Sequence, residues 1–197
     1  MRKRELEMRL QRLQPMEDPD PSLEQYATPA TIAADLIFTA HSCGDIAGKR
    51  VLDLGCGNGV LGLGAWLMGA EQVTGVDVSK NALEAAERNA RLLEAEMTLV
   101  ESDVRRYSGE ADCVVMNPPF GSQRRGADRP FLDAAMEAAP AVYSLHMAKT
   151  LPFLKKYVEE RGRELAFHKG YKYDIPHLFR FHSKLRETID IVMIIIR

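Results

Sequence analysis

The sequence contains little cysteine. Its three cysteines, Cys43, Cys56 and Cys113, are odd in number, lie far apart and show no CxxC spacing. They argue against a disulfide framework and against a structural zinc site in this chain, and they favour a reducing compartment. Three histidines between residues 168 and 182 also lack the spacing of metal ligands. We therefore expect no bound metal.

Long hydrophobic runs are absent as well. No segment of about 18 apolar residues occurs, so no transmembrane helix is predicted. The charged N-terminus, MRKRELEMRLQRL, has no apolar centre and does not match a secretory signal. The net charge is only -2, so any affinity for nucleic acid has to come from local basic patches. These absences favour a cytoplasmic protein with no membrane partner.

Short apolar strands alternate with amphipathic helices along the chain. Hydrophobic periodicity predicts helices at residues 3–13, 29–41, 60–70, 80–94, 129–139 and 150–162. It predicts strands at residues 50–54, 72–78, 97–101, 113–117, 141–147, 163–170 and 187–196. Thr28 is expected to cap the second helix, with Pro29 in its first turn. Continuously apolar strands separated by helices indicate a doubly wound, mostly parallel α/β sheet.

The chain length of 197 residues fits a single domain. Because only about 45 residues precede the first predicted strand, we expect residues 1–45 to form a helical N-terminal extension. Residues 46–197 then form the core that carries the sheet. The hydrophobic fraction of 46% and the charged fraction of 27% are those of a globular protein and not of a disordered one.

The segment DLGCGNG, residues 53–59, is a glycine-rich turn between a strand and a helix. Glycines permit positive φ and a close approach of backbone to ligand, and the helix start offers free N–H groups. A dinucleotide fingerprint needs a glycine where Val60 stands, whereas S-adenosylmethionine needs a backbone cradle, an acid for ribose and a polar group for adenine. Asp77 and Asp103, at the ends of the next two strands, favour S-adenosylmethionine. The alternative is that the glycines only permit packing and the aspartates only cap helices.

The strand at 113–117 ends in the turn Asn117-Pro118-Pro119-Phe120. As the fourth strand, it would end beside the first, at the switch point where α/β sheets bind ligands. The Asn117 side-chain oxygen and the Pro118 carbonyl can accept both protons of an exocyclic amine, and the two prolines preorganise them. Phe120 offers a face for stacking a base. Adenine, guanine and a glutamine amide all present such an amine, and an ordinary Asn-Pro turn with a core Phe120 is the remaining alternative.

Several segments together resemble one family: LEQYATP (23–29), DLGCGNGVL (53–61), MNPPFG (116–121), AVYSLH (141–146) and YDIP (173–176). They are similar to the ribosomal RNA N6-adenosine methyltransferases related to methyltransferase-like protein 5, with archaeal and eukaryotic members. The resemblance implies a Rossmann-like, seven-stranded class I methyltransferase fold whose last strand is antiparallel. It implies S-adenosyl-L-methionine as methyl donor, S-adenosyl-L-homocysteine as product and small-subunit ribosomal RNA as substrate. It also implies a small zinc-binding activator subunit as partner.

Residue roles follow from the resemblance together with the two turns. The predicted catalytic residues are Asn117, Pro118, Pro119 and Phe120. The predicted cofactor-binding residues are Gln25, Thr28, Asp53, Gly55, Gly57, Asn58, Val60, Asp77, Asp103, Val104 and Asn117. We expect methyl transfer to the N6 amine of an adenosine. The alternatives are guanosine N2 methylation, methylation of a protein glutamine, and a non-catalytic module that binds cofactor or RNA.

Basic residues outside these motifs are candidate RNA contacts. Arg124 and Arg125 lie in a glycine-containing segment directly after the Asn117 turn. Lys169, Lys172 and Lys184 lie near the C-terminus in a stretch where basic and aromatic residues interleave. The alternatives are a solvated loop for the first group and a plain exposed segment for the second.

Overall fold

The computed structural model describes residues 1–20, 23–25, 28–121, 126–175 and 187–197. The helices in these ranges are α1 (Lys3–Leu10), α2 (Ala30–Ser42), α3 (Val60–Leu67), α4 (Lys80–Leu92), α5 (Arg129–Ala138) and α6 (Leu151–Glu159). The strands are β1 (Arg50–Leu54), β2 (Gln72–Asp77), β3 (Thr98–Glu101), β4 (Cys113–Met116), β5 (Ala141–Met147), β6 (Leu165–Ile175) and β7 (Glu187–Ile196). Short 3₁₀ helices cover Val104–Arg106 and Ala148–Thr150.

The strands of the described ranges form one seven-stranded sheet in the order β3-β2-β1-β4-β5-β7-β6. Neighbours from β3 to β5 run parallel, whereas β7 runs antiparallel to both β5 and β6. The predicted fold, a mostly parallel sheet with an antiparallel last strand, is therefore confirmed. The chain order reverses between β1 and β4, which places a crevice for ligands at their carboxyl ends.

Two apolar clusters cover the sheet. Along β4, Cys113 and Val115 enter the first cluster, whereas Val114 and Met116 enter the second. Because side chains of a strand alternate between its faces, the two clusters lie on opposite faces of the sheet. All four residues of β4 are buried, which explains why this strand is continuously apolar. No helix of the described ranges combines the length and apolarity that a membrane span needs.

Two predictions about element ends are wrong. Strand β6 runs on to Ile175, beyond the predicted end at Gly170, because β7 offers pairing partners along this whole stretch. Thr28 does not cap α2, since Pro29 occupies the N-cap position and no side chain caps the helix. The Thr28 hydroxyl instead accepts a hydrogen bond from Asn117 Nδ2 at 2.9 Å. The other predicted ends agree with the structure to within three residues.

Asp35 is a nearly buried acid on α2 that joins three elements of the fold. Its carboxylate accepts hydrogen bonds from Lys3 Nζ at 2.8 Å, Lys169 Nζ at 2.5 Å and the Tyr171 hydroxyl at 2.6 Å. Burial opposes ionisation of this carboxyl, but the three hydrogen bonds outweigh it and lower the pKa of Asp35 to about 2. Through this acid, α1 and β6 are both tied to α2.

We expect Asp35→Ala to lower the free energy of unfolding by about 1–3 kcal/mol, since it leaves all of these donors without their acceptor. Asp190→Ala is the matched control. Asp190 pairs with Lys172 at 3.0 Å, but the two side chains are 66% and 79% exposed. Such exposed pairs contribute about 0–1 kcal/mol. Urea denaturation of both variants measures the difference, and equal losses would show that Asp35 is no more than a surface acid.

Candidate active site

The carboxyl ends of β1, β2 and β4 lie side by side because the registers of these parallel strands are aligned. Gly55, Asp77 and Asn117, which stand at these strand ends, therefore lie along one edge of the sheet. Asp103 follows the end of β3, the next strand outward. Residues that are far apart in the sequence are thus brought to one place by the sheet alone.

A cavity of about 490 Å³ opens at this edge, and a smaller one of about 30 Å³ shares Met16, Gly55, Gly57 and Asn117 with it. The larger volume lies in the roughly 300–1,000 Å³ range of small-molecule sites. The predicted residues that line it are Gln25, Gly55, Gly57, Asp77, Asp103, Val104, Asn117 and Pro119. Those that line the smaller cavity include Thr28, Asp53, Asn58 and Val60.

Gly55 lines both cavities. Its φ of +70° is a conformation that residues with a side chain rarely adopt. A Cβ at this position would also lie 3.0 Å from Cε1 of Phe131, closer than the two atoms can pack without a shift. The bare backbone of Gly55 therefore leaves room for the Phe131 ring beside the cavity.

Asp77 holds the glycine-rich turn. Its Oδ2 accepts the Gly57 N–H at 2.9 Å, and its Oδ1 accepts the Ser79 N–H at 2.9 Å. Burial raises the pKa of this carboxyl, and the backbone hydrogen bonds oppose the rise. The two carboxylate oxygens have about four lone-pair sites, more than the backbone N–H groups of Gly57, Val78 and Ser79 use, so acceptor capacity remains for a ligand hydroxyl. Asp77 can thus fix the turn and accept hydrogen bonds from a ligand at the same time.

Asp53 is the most deeply buried acid of the site, with 1% of its surface exposed. Its Oδ2 accepts the Gly62 N–H at 2.8 Å, which ties the end of β1 to α3. Burial raises the pKa of Asp53 to about 7, against the effect of this hydrogen bond and with a smaller contribution from the charge of Asp77. The smaller cavity therefore has a carboxyl group that titrates near neutral pH.

Asp103 is held by Arg105. The guanidinium donates to both carboxylate oxygens, from Nε at 3.0 and 3.2 Å and from Nη2 at 2.5 Å, and the Arg105 N–H donates to Oδ1 at 2.9 Å. The Arg105 side chain lowers the pKa of Asp103 to about 2. Asp103 is thus ionised throughout the neutral range, and Arg105 lies beside it in the cavity wall.

Asn117 has one end of its amide fixed and the other end unpaired. Its Nδ2 donates to Thr28 Oγ1, as described above, and its Oδ1 is covered but accepts from no donor of the described residues. A buried acceptor without a donor costs about 1–3 kcal/mol, so a ligand N–H that reaches it is favoured. The amide is thereby oriented with its acceptor available.

The other residues of this turn divide between cavity and core. Pro119 lines the cavity, whereas Pro118 and Phe120 are not among the described residues that do so. Pro118 is buried, and Phe120 is half-buried and packs against the first apolar cluster. Stacking of a base on Phe120 stays a prediction. Phe131, which the sequence reasoning did not select, is the aromatic ring in the wall of the larger cavity.

Sequence reasoning did not identify several of the residues that line the larger cavity. The missed lining residues include Met16, Leu23, Glu24, Arg105, Gly126, Ala127, Pro130 and Phe131. The wall at the start of α5 is anchored by Asp128, whose Oδ2 lies 3.2 Å from His146 Nδ1. His146 Nε2 in turn lies 2.8 Å from Ser144 Oγ on β5. The signal for this wall was the polar Ser-x-His pattern inside an otherwise apolar strand.

Two of the five candidate RNA contacts lie in the described part of the chain. Lys169 and Lys172 are on β6, the outermost strand at the far side of the sheet from β3. Lys169 is engaged by Asp35, and Lys172 pairs with Asp190. Arg124, Arg125 and Lys184 lie outside the described residues. Neither Lys169 nor Lys172 is among the described residues that line the two cavities.

A sheet of this order with a cavity at the carboxyl ends of its central strands is the architecture of class I methyltransferases. The sequence model of the methyltransferase small domain family matches residues 34–142, a segment that includes the glycine-rich turn, Asp77 and Asn117. The chain belongs to this family and, by full-length similarity, to the METTL5 group of methyltransferases.

The similarity extends over nearly the whole chain. The rRNA N(6)-adenosine-methyltransferase METTL5 of Danio rerio is 36% identical over 205 residues, covering 100% of this chain and 98% of the relative. Its counterpart in Drosophila melanogaster is 35% identical over 197 residues, covering 95% and 92%. The crystal structure of PH1948 from Pyrococcus horikoshii superposes with a TM-score of 0.93 at 40% identity, covering 100% of this chain and 97% of that one.

Proposed function

We propose that the protein transfers a methyl group from S-adenosylmethionine to the N6 amine of an adenosine in small-subunit ribosomal RNA. The main support is the side chain of Asn117 in the cavity lining. Its Nδ2 donates to Thr28 Oγ1, and its Oδ1 is buried without a donor among the described residues. The activity named for the METTL5 relatives of Danio rerio and Drosophila melanogaster, rRNA adenosine N6 methylation, supports it.

The cavity has the chemistry that this methyl donor needs. When bound, S-adenosylmethionine supplies an electrophilic methyl group on a positively charged sulfonium. Asp77 in the larger cavity, and Asp53 in the smaller one once it is ionised, complement a cation, whereas the charge of Asp103 is paired with Arg105. Asp77 would accept hydrogen bonds from ribose hydroxyls, and the glycine-rich turn would let the backbone approach the methionine part. Gln25 Nε2, covered and without an acceptor among the described residues, is a donor for the carboxylate end.

The turn at Asn117 offers acceptors that would orient the N6 amine of the adenosine. In adenine the N6 lone pair is delocalised into the ring, so the amine is a weak nucleophile. Asn117 Oδ1 would accept one N–H of this amine, and the carbonyl of Pro118, the next residue of the turn, would accept the other, which would hold the amine in one orientation. Bound S-adenosylmethionine would supply the methyl group and leave as S-adenosylhomocysteine, and the methylated amine would lose one proton to water. Catalysis therefore rests on proximity, alignment and preorganised acceptors.

Gly55→Ala is expected to weaken the binding of S-adenosylhomocysteine by about tenfold or more, because the added Cβ lies 3.0 Å from the Phe131 ring and both residues line the larger cavity. Gly162→Ala is the matched control. Gly162 also has a φ of +70°, but nothing lies within 4 Å of its virtual Cβ. Both variants lose about 1–3 kcal/mol of stability from backbone strain. Isothermal titration calorimetry separates them, and equal affinities would show that Phe131 yields without cost.

The substrate is tested by mass spectrometry of digested ribosomal RNA from a strain that lacks the gene. We expect N6-methyladenosine to disappear from one position of the small-subunit RNA and to return when the gene is restored. Unchanged N6-methyladenosine in that RNA would overturn the proposal. Loss of a methylated guanosine, or of a methylated glutamine in a ribosomal protein, would assign the same site to one of the alternative amines.

The proposal includes a cytoplasmic enzyme in which residues 1–197 act as one methyltransferase domain, together with a small zinc-binding activator subunit. The partner rests on the family resemblance. Purification from the native source should bring down a small protein that contains zinc, and elution as a strict monomer would count against this part of the proposal. Lys169 and Lys172, the two candidate RNA contacts that the structure describes, lie on β6 and not in the cavity lining, which agrees with a need for additional RNA contacts from a partner or from the ribosomal precursor.

A further inference from the structure

A short segment between α1 and the cavity is hydrogen-bonded to α4 through the buried side chain of Asn89. We call residues 14–18 the N-terminal strap. At its start, the Gln14 N–H donates to Asn89 Oδ1 at 2.8 Å, and Asn89 Nδ2 donates back to the Gln14 carbonyl at 2.9 Å. Asn89 is on α4 and has 0% of its surface exposed. One side chain thus pairs with both backbone groups of a residue 75 positions away, as a neighbouring strand would.

The hydrogen bonds of Asn89 also include the glycine-rich turn. The second N–H of its amide donates to the Asn58 carbonyl at 3.0 Å, and Asn58 Nδ2 donates to the Gln14 carbonyl at 3.0 Å. The donor and acceptor atoms of the Asn89 amide are therefore all used. Only an amide provides an acceptor and two donors together, because aspartate lacks the donors and an aliphatic residue lacks both. A fully buried asparagine with complete hydrogen bonding fixes one geometry of its neighbours.

The N-terminal strap extends from its contact with Asn89 to the two cavities. Met16, two residues beyond Gln14, lines both cavities, and its Cε lies 4.0 Å from the position that a Cβ of Gly57 would take. The far end of the strap is held by Asn81, whose Nδ2 donates to the Glu17 carbonyl and to the Asp18 carbonyl. Residues 81 and 89 are eight positions apart on α4, so both lie on the same side of the helix.

We propose that Asn89 is a positioning residue of the cofactor site. It touches neither cavity among the described lining residues, and it acts by holding the strap and Met16 over the glycine-rich turn. The inference rests on the proposed function, since it assumes that the cavity binds S-adenosylmethionine. Its physical basis is preorganisation: a wall that is already fixed does not have to be ordered when the ligand binds. Loss of Asn89 should therefore weaken cofactor binding and leave the chemical step at saturating cofactor nearly unchanged.

The experiment is a double-mutant cycle on S-adenosylhomocysteine affinity, measured by calorimetry with wild type, Asn89→Ala, Met16→Ala and the double variant. We expect Asn89→Ala to raise Kd by about 5- to 150-fold, the range of an unsatisfied buried hydrogen-bonding group. Because Asn89 acts through Met16, the same change should raise Kd much less in the Met16→Ala background. At saturating S-adenosylmethionine, kcat should stay within about threefold of wild type. If Asn89→Ala does not fold, Asn89→Ser, which leaves a polar group at this position, is measured in its place.

A control separates positioning from general stability. Val158→Ala removes buried volume from the second apolar cluster, on the opposite face of the sheet from the strap. It should lower Tm and leave Kd unchanged. A folded Asn89 variant that binds as tightly as wild type, an equal loss of affinity in Val158→Ala, or fully additive effects of Asn89 and Met16 would each overturn the inference. If wild type itself binds neither S-adenosylmethionine nor its product, the proposed function fails instead.

Discussion

Replacing Asn117 by alanine is expected to slow methyl transfer by about 10²-fold or more and to change S-adenosylhomocysteine affinity much less. The reason is that Oδ1 is a buried acceptor without a donor among the described residues, while the walls of the cavity come mainly from other elements. Single-turnover rates with RNA and calorimetry with the product measure the two quantities separately. Equal RNA modification by the variant would favour a module that binds cofactor or RNA without catalysis.

Thr28→Val tests the same prediction from the other end of the amide. It keeps the size of the side chain and removes the hydroxyl that accepts from Asn117 Nδ2. The amide then loses its orientation but remains present, so we expect a smaller rate loss, of about tenfold, the effect of one hydrogen bond. A loss as large as that of Asn117→Ala would mean that orientation alone accounts for the catalytic contribution. No loss would mean that the hydrogen bond to Thr28 does not position the amide.

Stability should fall as pH rises from about 5 to 7, and Asp53 is the expected cause. Its pKa is about 7 in the folded protein, whereas an unfolded aspartate has a pKa of about 3.9. Between these values the folded protein binds one proton that the unfolded chain has released, so the contribution of Asp53 to stability is largest at low pH and decreases until Asp53 is ionised in both states. The difference of roughly three pKa units corresponds to about 4 kcal/mol over the whole range. Above about pH 8 this contribution no longer changes.

Asp53→Asn removes this dependence, because an amide keeps the acceptor for Gly62 N–H and does not ionise. The variant should be more stable than wild type at pH 8 and should lose little stability between pH 5 and 7, as followed by urea denaturation of the ligand-free protein. Asp35→Asn is the control. The pKa of Asp35 is lowered to about 2, so it is ionised in both states over this range and its variant should parallel wild type. Parallel curves for Asp53→Asn and wild type would exclude Asp53 as the cause.

The fold and the strand-end residues were predictable because they depend on local pattern. Continuous apolar runs identify buried parallel strands, and parallel strands bring their carboxyl ends to one edge whatever the loops do. Gly55, Asp77 and Asn117 could therefore be placed together without knowledge of side-chain packing. The register of β1 with β2 and β4 agrees with that expectation.

The rest of the site depends on contacts that leave little trace in the sequence. Phe131 reads as an ordinary core residue of α5, and only the packing of that helix brings its ring to Gly55. Asn89 reads as a polar position on an amphipathic helix, yet it is fully buried and bonds to a segment 75 residues earlier. Thr28 was misread as a helix cap because Thr-Pro has that local preference, which the hydrogen bond from Asn117 overrides.

The N-terminal strap has a consequence for the smallest unit that can perform this chemistry. The family match begins at residue 34, yet Met16, Gln25 and Thr28 line the cavities from positions before it. Leu6 and Leu10 of α1 are buried in the first apolar cluster and anchor the strap from the other side. A fragment cut at the edge of the matched region would keep the glycine-rich turn and Asn117 but would lose one wall of the site. Anyone who transplants this site into another scaffold must therefore move the N-terminal segment with it.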